Sequence, residues 1–133
     1  MSFIGEMKPL HLSGAGKAML SYWPENQFQA YLAHPLDIRT ERTISTPEGL
    51  IECRQKTRLR GYALDDEEGE KGVFCIGVPV FVNGGILYAG LSVSMLKSVV
   101  ETEEREKYIS KMLQAGELLS RKMGYQGEYP LLD

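Results

Sequence analysis

Residues 73–95 read VFCIGVPVFVNGGILYAGLSVSM, two apolar, β-rich runs joined by Asn83-Gly84-Gly85. Asn-Gly between two such runs is the strongest short-range signal for a β-hairpin, because these residues tolerate the positive φ of a tight turn. Both runs are nearly continuously apolar, so one face is expected to pack on helices while the other lines a cavity or a partner. The second run breaks its pattern at Ser92 and Ser94. Residues two apart on a strand project to one side, so these hydroxyls lie together while Leu91, Val93 and Met95 face the other way.

Downstream of the hairpin, Thr102 to Met123 carries Tyr108, Ile109, Met112, Leu113, Leu118 and Leu119 at helical spacing. Gly124 closes this helix, and the tail QGEYPLLD is expected to fray. Upstream, Tyr62-Ala63-Leu64 reads as a short strand running into the acidic stretch DDEEGE. Three helices are predicted before it. The first runs from its cap Ser13 to Tyr22. The second opens at Pro24 and runs through about Ala33, with Phe28, Tyr31 and Leu32 on one face, and His34-Pro35 stops it. An irregular polar connector, RTERTISTP, leads to the third, which Ser45, Thr46 and Pro47 start, with Leu50, Ile51 and Leu59 as its candidate core face and Gly61 ending it. The order predicts an α+β layer structure, helices followed by an antiparallel hairpin and a covering helix. Three strands make a thin sheet for this much apolar surface, so further strands are expected upstream of the chain.

At 133 residues the chain is one domain's worth, with 43% hydrophobic and 25% charged residues. Fifteen Lys and Arg against 18 Asp and Glu give a net charge of −3, which provides no long-range pull toward nucleic acid or anionic membrane. Two cysteines, Cys53 and Cys75, are read as reduced thiols rather than a disulfide framework. The first twelve residues carry no secretory pattern, and no apolar stretch reaches membrane-spanning length, so a cytoplasmic protein is expected.

The stretch SGAGKA (13–18) looks like an anion-holding loop. A Walker-type phosphate loop needs a glycine five residues before the Gly-Lys pair and a hydroxyl after it, and these positions hold His11 and Ala18. The dinucleotide fingerprint fails too, for want of a third glycine. Two readings stay open: a capped helix start with small residues for close packing, or the same geometry with free first-turn N–H groups receiving a carboxylate. Lys17 is either a solvated first-turn lysine or an electrostatic aid to that anion.

PLHLSGAGKAML (9–20), GYALDDEEGEKGVFCIGVPV (61–80) and LSVSM (91–95) occur in this order, separated by helices. The combination, from Pro9 to Gly124, resembles the effector-binding domain of IclR-type bacterial transcription regulators. The resemblance implies a GAF-like, profilin-like antiparallel sheet with flanking helices, and a single effector-binding domain over residues 1–133. It also implies a fragment, truncated at the N-terminus, lacking the winged helix-turn-helix and the first strands of the sheet. The implied ligand is a small carboxylate, with Gly14 and Ala15 offering backbone N–H groups. Asp65 and Cys75 match polar ligand-contacting positions, and Ser92 and Ser94 the hydroxyls that close the site. Homo-oligomers, dimers or tetramers, are implied as well, with DNA bound only through the missing module.

The residues allow plainer roles beside these. Two buried hydroxyls need partners, which a ligand oxygen or neighbouring backbone would supply. Asp65 is either one of a solvated acidic run or an acceptor for the hydroxyl of a hydroxy acid or sugar acid. Cys75 has no Cys/His/Asp pattern around it, so a buried thiol in contact with ligand is expected in place of a nucleophile. Space near Val78, Leu87 and Met95 is where selectivity between acids would arise. His11, His34 and the cysteines lack metal-ligand spacing, and DDEEGE misses a calcium-loop pattern, so no metal or cofactor is expected. The leading expectation is a non-catalytic sensor; the alternative is a small-acid-processing enzyme using Cys75 or Asp65.

Overall fold

The computed structural model describes residues 3–100 and 102–132. A single 3-10 turn, Leu10–Leu12, leads into helices α1 (Gly14–Tyr22), α2 (Glu25–Leu32) and α3 (Pro47–Arg60). Strands β1 (Ala63–Asp66), β2 (Val73–Val82) and β3 (Ile86–Leu96) follow, then helix α4 (Thr102–Lys122). Local chemistry sets these boundaries. Ser13 and Thr46, both extended, cap α1 and α3 by accepting the N–H groups of Gly16 and Gly49, and Pro47 opens α3. Gly61, at φ +90°, ends α3 in the left-handed region.

The strands form one antiparallel sheet in the order β1-β2-β3. Gly84 and Gly85 take the positive φ values of the hairpin turn, and Gly85 N–H closes it on Val82 O at 3.0 Å. The central strand β2 is buried over nearly its whole length, because α1 covers one face of the sheet and α4 the other. Phe74 and Ile76 meet Ile109 of α4, with Met112 and Leu113 around them. Leu20, Phe28 and Leu50 join α1, α2 and α3 in a second cluster. Burying a side chain of this size fully contributes about 1.5–3 kcal/mol.

On the α1 face the contact is backbone on backbone. A Cβ on Gly77 would strike the Gly14 carbonyl, and one on Gly90 the Ala15 carbonyl. The glycines of FCIG and YAG therefore let the first turn of α1 settle directly onto β2 and β3.

Four expectations are corrected. Leu59 is 67% exposed and Leu118 60%, and Leu119 also lies at the surface. The inner side of α4 near its end is instead made of Gly116 and Ser120, small enough for the helix to lie close to β2. Ser120 Oγ accepts the Phe81 N–H at 3.1 Å, where a bulge between Val80 and Phe81 breaks the ladder. The tail does not fray over its described residues: Tyr125 and Tyr129 pack on Phe81, and Tyr129 OH donates to Pro79 O at 2.8 Å. Asp133, its last residue, lies outside the described residues. The connector after α2 is irregular but anchored, with Thr43 buried and its hydroxyl donating to Glu68 O at 2.6 Å.

Candidate functional site

The acidic stretch begins inside β1 rather than after it, and this places Asp65. In the sheet register Asp65 pairs with Cys75 and Cys75 with Ser94, so the three stand in one row across three strands. Ser92 stands opposite Gly77, two residues along and on the same face. The start of α1 lies over this face, with Gly14 against Cys75 and Gly77. Gly14, Ala15, Asp65, Cys75, Ser92 and Ser94 thus line one cavity of about 340 Å³, together with Ser13, Lys8, Glu70 and Val73.

The cap residue defines which amides are available. Ser13 Oγ takes the Gly16 N–H at 3.0 Å, leaving the Gly14 and Ala15 N–H groups without an acceptor among the described residues. These two amides sit at the positive end of the helix dipole, beside the cavity. Glycine is needed here for packing, and the same turn presents two donors without an acceptor among the described residues.

Asp65 is not part of a solvated run. It is 3% exposed, and its Oδ1 accepts the N–H groups of Glu68 at 2.9 Å and Gly69 at 3.3 Å. Ser92 and Ser94 depart from expectation in the other direction. Both are exposed, because β3 has no neighbour beyond β2 among the described residues. Ser94 Oγ lies 3.2 Å from Cys75 Sγ. Burial pushes the Cys75 thiol up, the Ser94 contact opposes this, and the Asp65 charge adds to the rise. The sulfur is a neutral thiol at pH 7, which is a poor nucleophile. His11 is far from serving as its base: its ring contacts Tyr31 OH and Asp37 O, both at 2.8 Å.

Lys17 is not a solvated first-turn lysine. It is 3% exposed, donates to Leu64 O, and pairs with Glu68 Oε1 at 2.6 Å, which neutralises it. The cation on the cavity is Lys8, which no local pattern marks. Val78 and Met95 lie on the α4 face of the sheet and Leu87 joins the Phe81 cluster, so none of them shapes this cavity.

The loop after β1 forms one wall. Glu67 stands at φ +58° and accepts the Gly72 N–H at 2.9 Å. Lys97 bridges Asp66 and Glu67 at 2.8 and 3.0 Å, and Arg42 reaches the same two carboxylates at 2.9 and 3.3 Å.

A family model described as the C-terminal region of the bacterial transcriptional regulator IclR matches residues 1–121. The chain belongs to the IclR family. It corresponds to the ligand-binding C-terminal domain of such a regulator. The HTH-type transcriptional regulator XynR of Escherichia coli is 37% identical over 125 residues, 93% of this chain and 50% of that protein. The chain thus spans about half the length of the curated relatives it matches. The crystal structure of the C-terminal domain of E. coli KdgR superposes with a TM-score of 0.84 at 34% identity, over 92% of this chain and 75% of that one. An IclR-like fold is also seen in the inducer-binding domain of Acinetobacter PobR, a double mutant complexed with 3-hydroxybenzoic acid. It matches with a TM-score of 0.79 at 25% identity, over 89% of this chain and 69% of that one. These relatives are named as transcriptional regulators or their domains. No helix among the described residues is long and apolar enough to cross a membrane.

Proposed function

We propose that this IclR domain, residues 1–133, is a non-catalytic sensor whose cavity takes a small organic acid, a simple carboxylate or a sugar acid. The carboxylate rests on the Gly14 and Ala15 amides, Ser92 and Ser94 donate from the sheet, and Cys75 gives the cavity a neutral floor. Asp65 accepts from a hydroxyl of the ligand, which reconciles an acidic residue with an anion site. The observation that carries this reading is the pairing of two acceptor-free helix amides with an Asp-Cys-Ser row around one cavity. The PobR complex supports it, since a domain of the same fold holds a hydroxylated acid.

A ligand acts as a signal only by binding one state of the protein better than another. The cavity lies between a helix start and a sheet, two bodies whose separation a bound acid would alter. Transmission to DNA runs through the remaining half of a regulator of this family, working in the cytoplasm as a dimer or tetramer. The enzyme alternative, an acid-processing reaction at Cys75 or Asp65, has less support, because the thiol is protonated and Asp65 Oδ1 caps backbone.

The test is thermal shift with glycolate, pyruvate, gluconate and 3-hydroxybenzoate. An acid present at a hundred times its Kd adds about 2.7 kcal/mol to the folded state, a rise of several degrees in Tm. Ser92→Ala/Ser94→Ala is expected to melt like the unmodified protein without ligand and to lose most of the shift. An undiminished shift in that variant rejects the site.

A further inference from the structure

We infer that the buried Lys17–Glu68 pair is the positioning device of this cavity, setting loop 67–72 and the Asp65 carboxylate at a fixed distance from the first turn of α1. The inference rests on the cavity being the ligand site, and deepens that reading by naming residues that act on the ligand without touching it.

The chain of contacts is continuous. Lys17 is the fourth residue of the helix whose first turn presents Gly14 and Ala15. Its ammonium donates to Leu64 O, next to Asp65 in β1, and to Glu68 Oε1. The other oxygen of Glu68 accepts the Asp66 N–H at 3.0 Å, while the Glu68 N–H returns to Asp65 Oδ1. One ion pair therefore holds the residues on both sides of Asp65. The outer side of the loop is fastened separately. Thr40 donates to Glu67 O at 2.6 Å and Thr43 to Glu68 O, so the connector between α2 and α3 grips the carbonyls of the residues whose inner side meets Lys17.

Stability alone does not account for such a pair. Removing two charges from water offsets most of their attraction, and apolar residues of similar volume often replace a buried pair without loss. Lys17 also sits near the positive end of α1, where the helix dipole opposes it. What an apolar pair cannot reproduce is direction: three donor–acceptor contacts that give the loop one register against α1. A preorganised wall lowers the ordering cost of binding a small polar ligand.

The decisive variant is Lys17→Met/Glu68→Leu, since Lys17→Met alone would strand a buried carboxylate and endanger folding. Amide exchange and gluconate binding are measured on the folded double variant. Exchange at Asp66, Glu68 and Gly69 is expected to quicken about tenfold while Phe74 and Ile76 in β2 stay protected and Tm stays close to the original. Gluconate is expected to bind about tenfold more weakly. Unchanged exchange in the loop, or unchanged gluconate affinity, overturns the inference. Failure of the site itself reads differently: Ser92→Ala/Ser94→Ala would then leave gluconate binding intact, and loop exchange would not respond to those serines at all.

Discussion

At Gly77 any Cβ would run into the carbonyl group of Gly14, and at Gly90 into that of Ala15, so two side chains that do not exist determine how close α1 comes to the sheet. Gly77→Ala must therefore lift the first turn of α1 and with it both free amides. Overpacking of this kind costs about 1–3 kcal/mol, and chemical denaturation is expected to show that loss together with absence of any acid-induced thermal shift. Cys75 gives a second prediction. Burial lifts its thiol above the ordinary value of 9.0, so the thiolate is scarce until pH exceeds that value. Iodoacetamide labelling of Cys75 in the folded protein is expected to be far slower at pH 8 than in the denatured chain, with mass spectrometry of the Cys75 peptide as the readout. Equal rates would mean an activated thiol and would revive the enzyme reading. Ser92 and Ser94 were legible as polar interruptions of an apolar strand, and strand alternation put them on one face, whereas Asp65 and Cys75 entered only through the family resemblance, because the acidic stretch reads as following β1 and not as part of it. The exposure of the two serines was not legible, because whether β3 is an edge depends on what lies beside it.

Elements whose limits are set by neighbours in sequence came through clearly: the Ser13 cap, the helix start at Ser45-Thr46-Pro47, the Gly61 stop and the glycine turn of the hairpin all act within four residues. Faces chosen by distant partners did not. Leu118 and Leu119 have the apolar character of a core face, yet α4 turns Gly116 and Ser120 inward, because the Phe81 bulge needs an acceptor and the Tyr129 ring needs room. Ser120→Ala leaves the Phe81 N–H buried without a partner and is expected to cost about 1–3 kcal/mol in urea unfolding. A variant as stable as the original would show that water or backbone takes over. Lys17 was equally opaque to local reasoning, since its partner Glu68 lies 51 residues on. In the loop, the Gly72 N–H and then Lys97 hold Glu67 below its ordinary value of 4.5. A carboxylate lowered on folding stabilises the folded state above its unfolded pKa and loses that contribution as pH falls through the folded one. Loop amide protection is therefore expected to persist at pH 6 and weaken below pH 4.5, and Glu67→Gln is expected to flatten this dependence.

On the scale of the whole molecule, a sheet lies between α1 on one side and α4 with the docked tail on the other, and the cavity opens on the α1 side alone. This separation assigns different duties to the two faces. The α4 face, with Phe74 and Ile76 against Ile109, holds the fold, and the cluster around Phe81 ties Tyr22 at the end of α1 to the tail; the α1 face keeps polar groups near a helix start that meets the sheet at glycines. The order of the elements could be read from caps, turns and strand alternation, and the IclR-type architecture from the resemblance that three separated motifs carry. The ion pair, the threonine clasp and the tail could not, because they are assembled from segments far apart in the chain. The most direct measurement is a backbone NMR titration with glycolate, gluconate and 3-hydroxybenzoate. Binding should move the Gly14 and Ala15 amide signals first and furthest, with Asp65, Ser92 and Ser94 following at the same midpoint. Saturable shifts confined to other surfaces, or none with any of the three acids at millimolar concentration, would contradict a carboxylate seat at the start of α1.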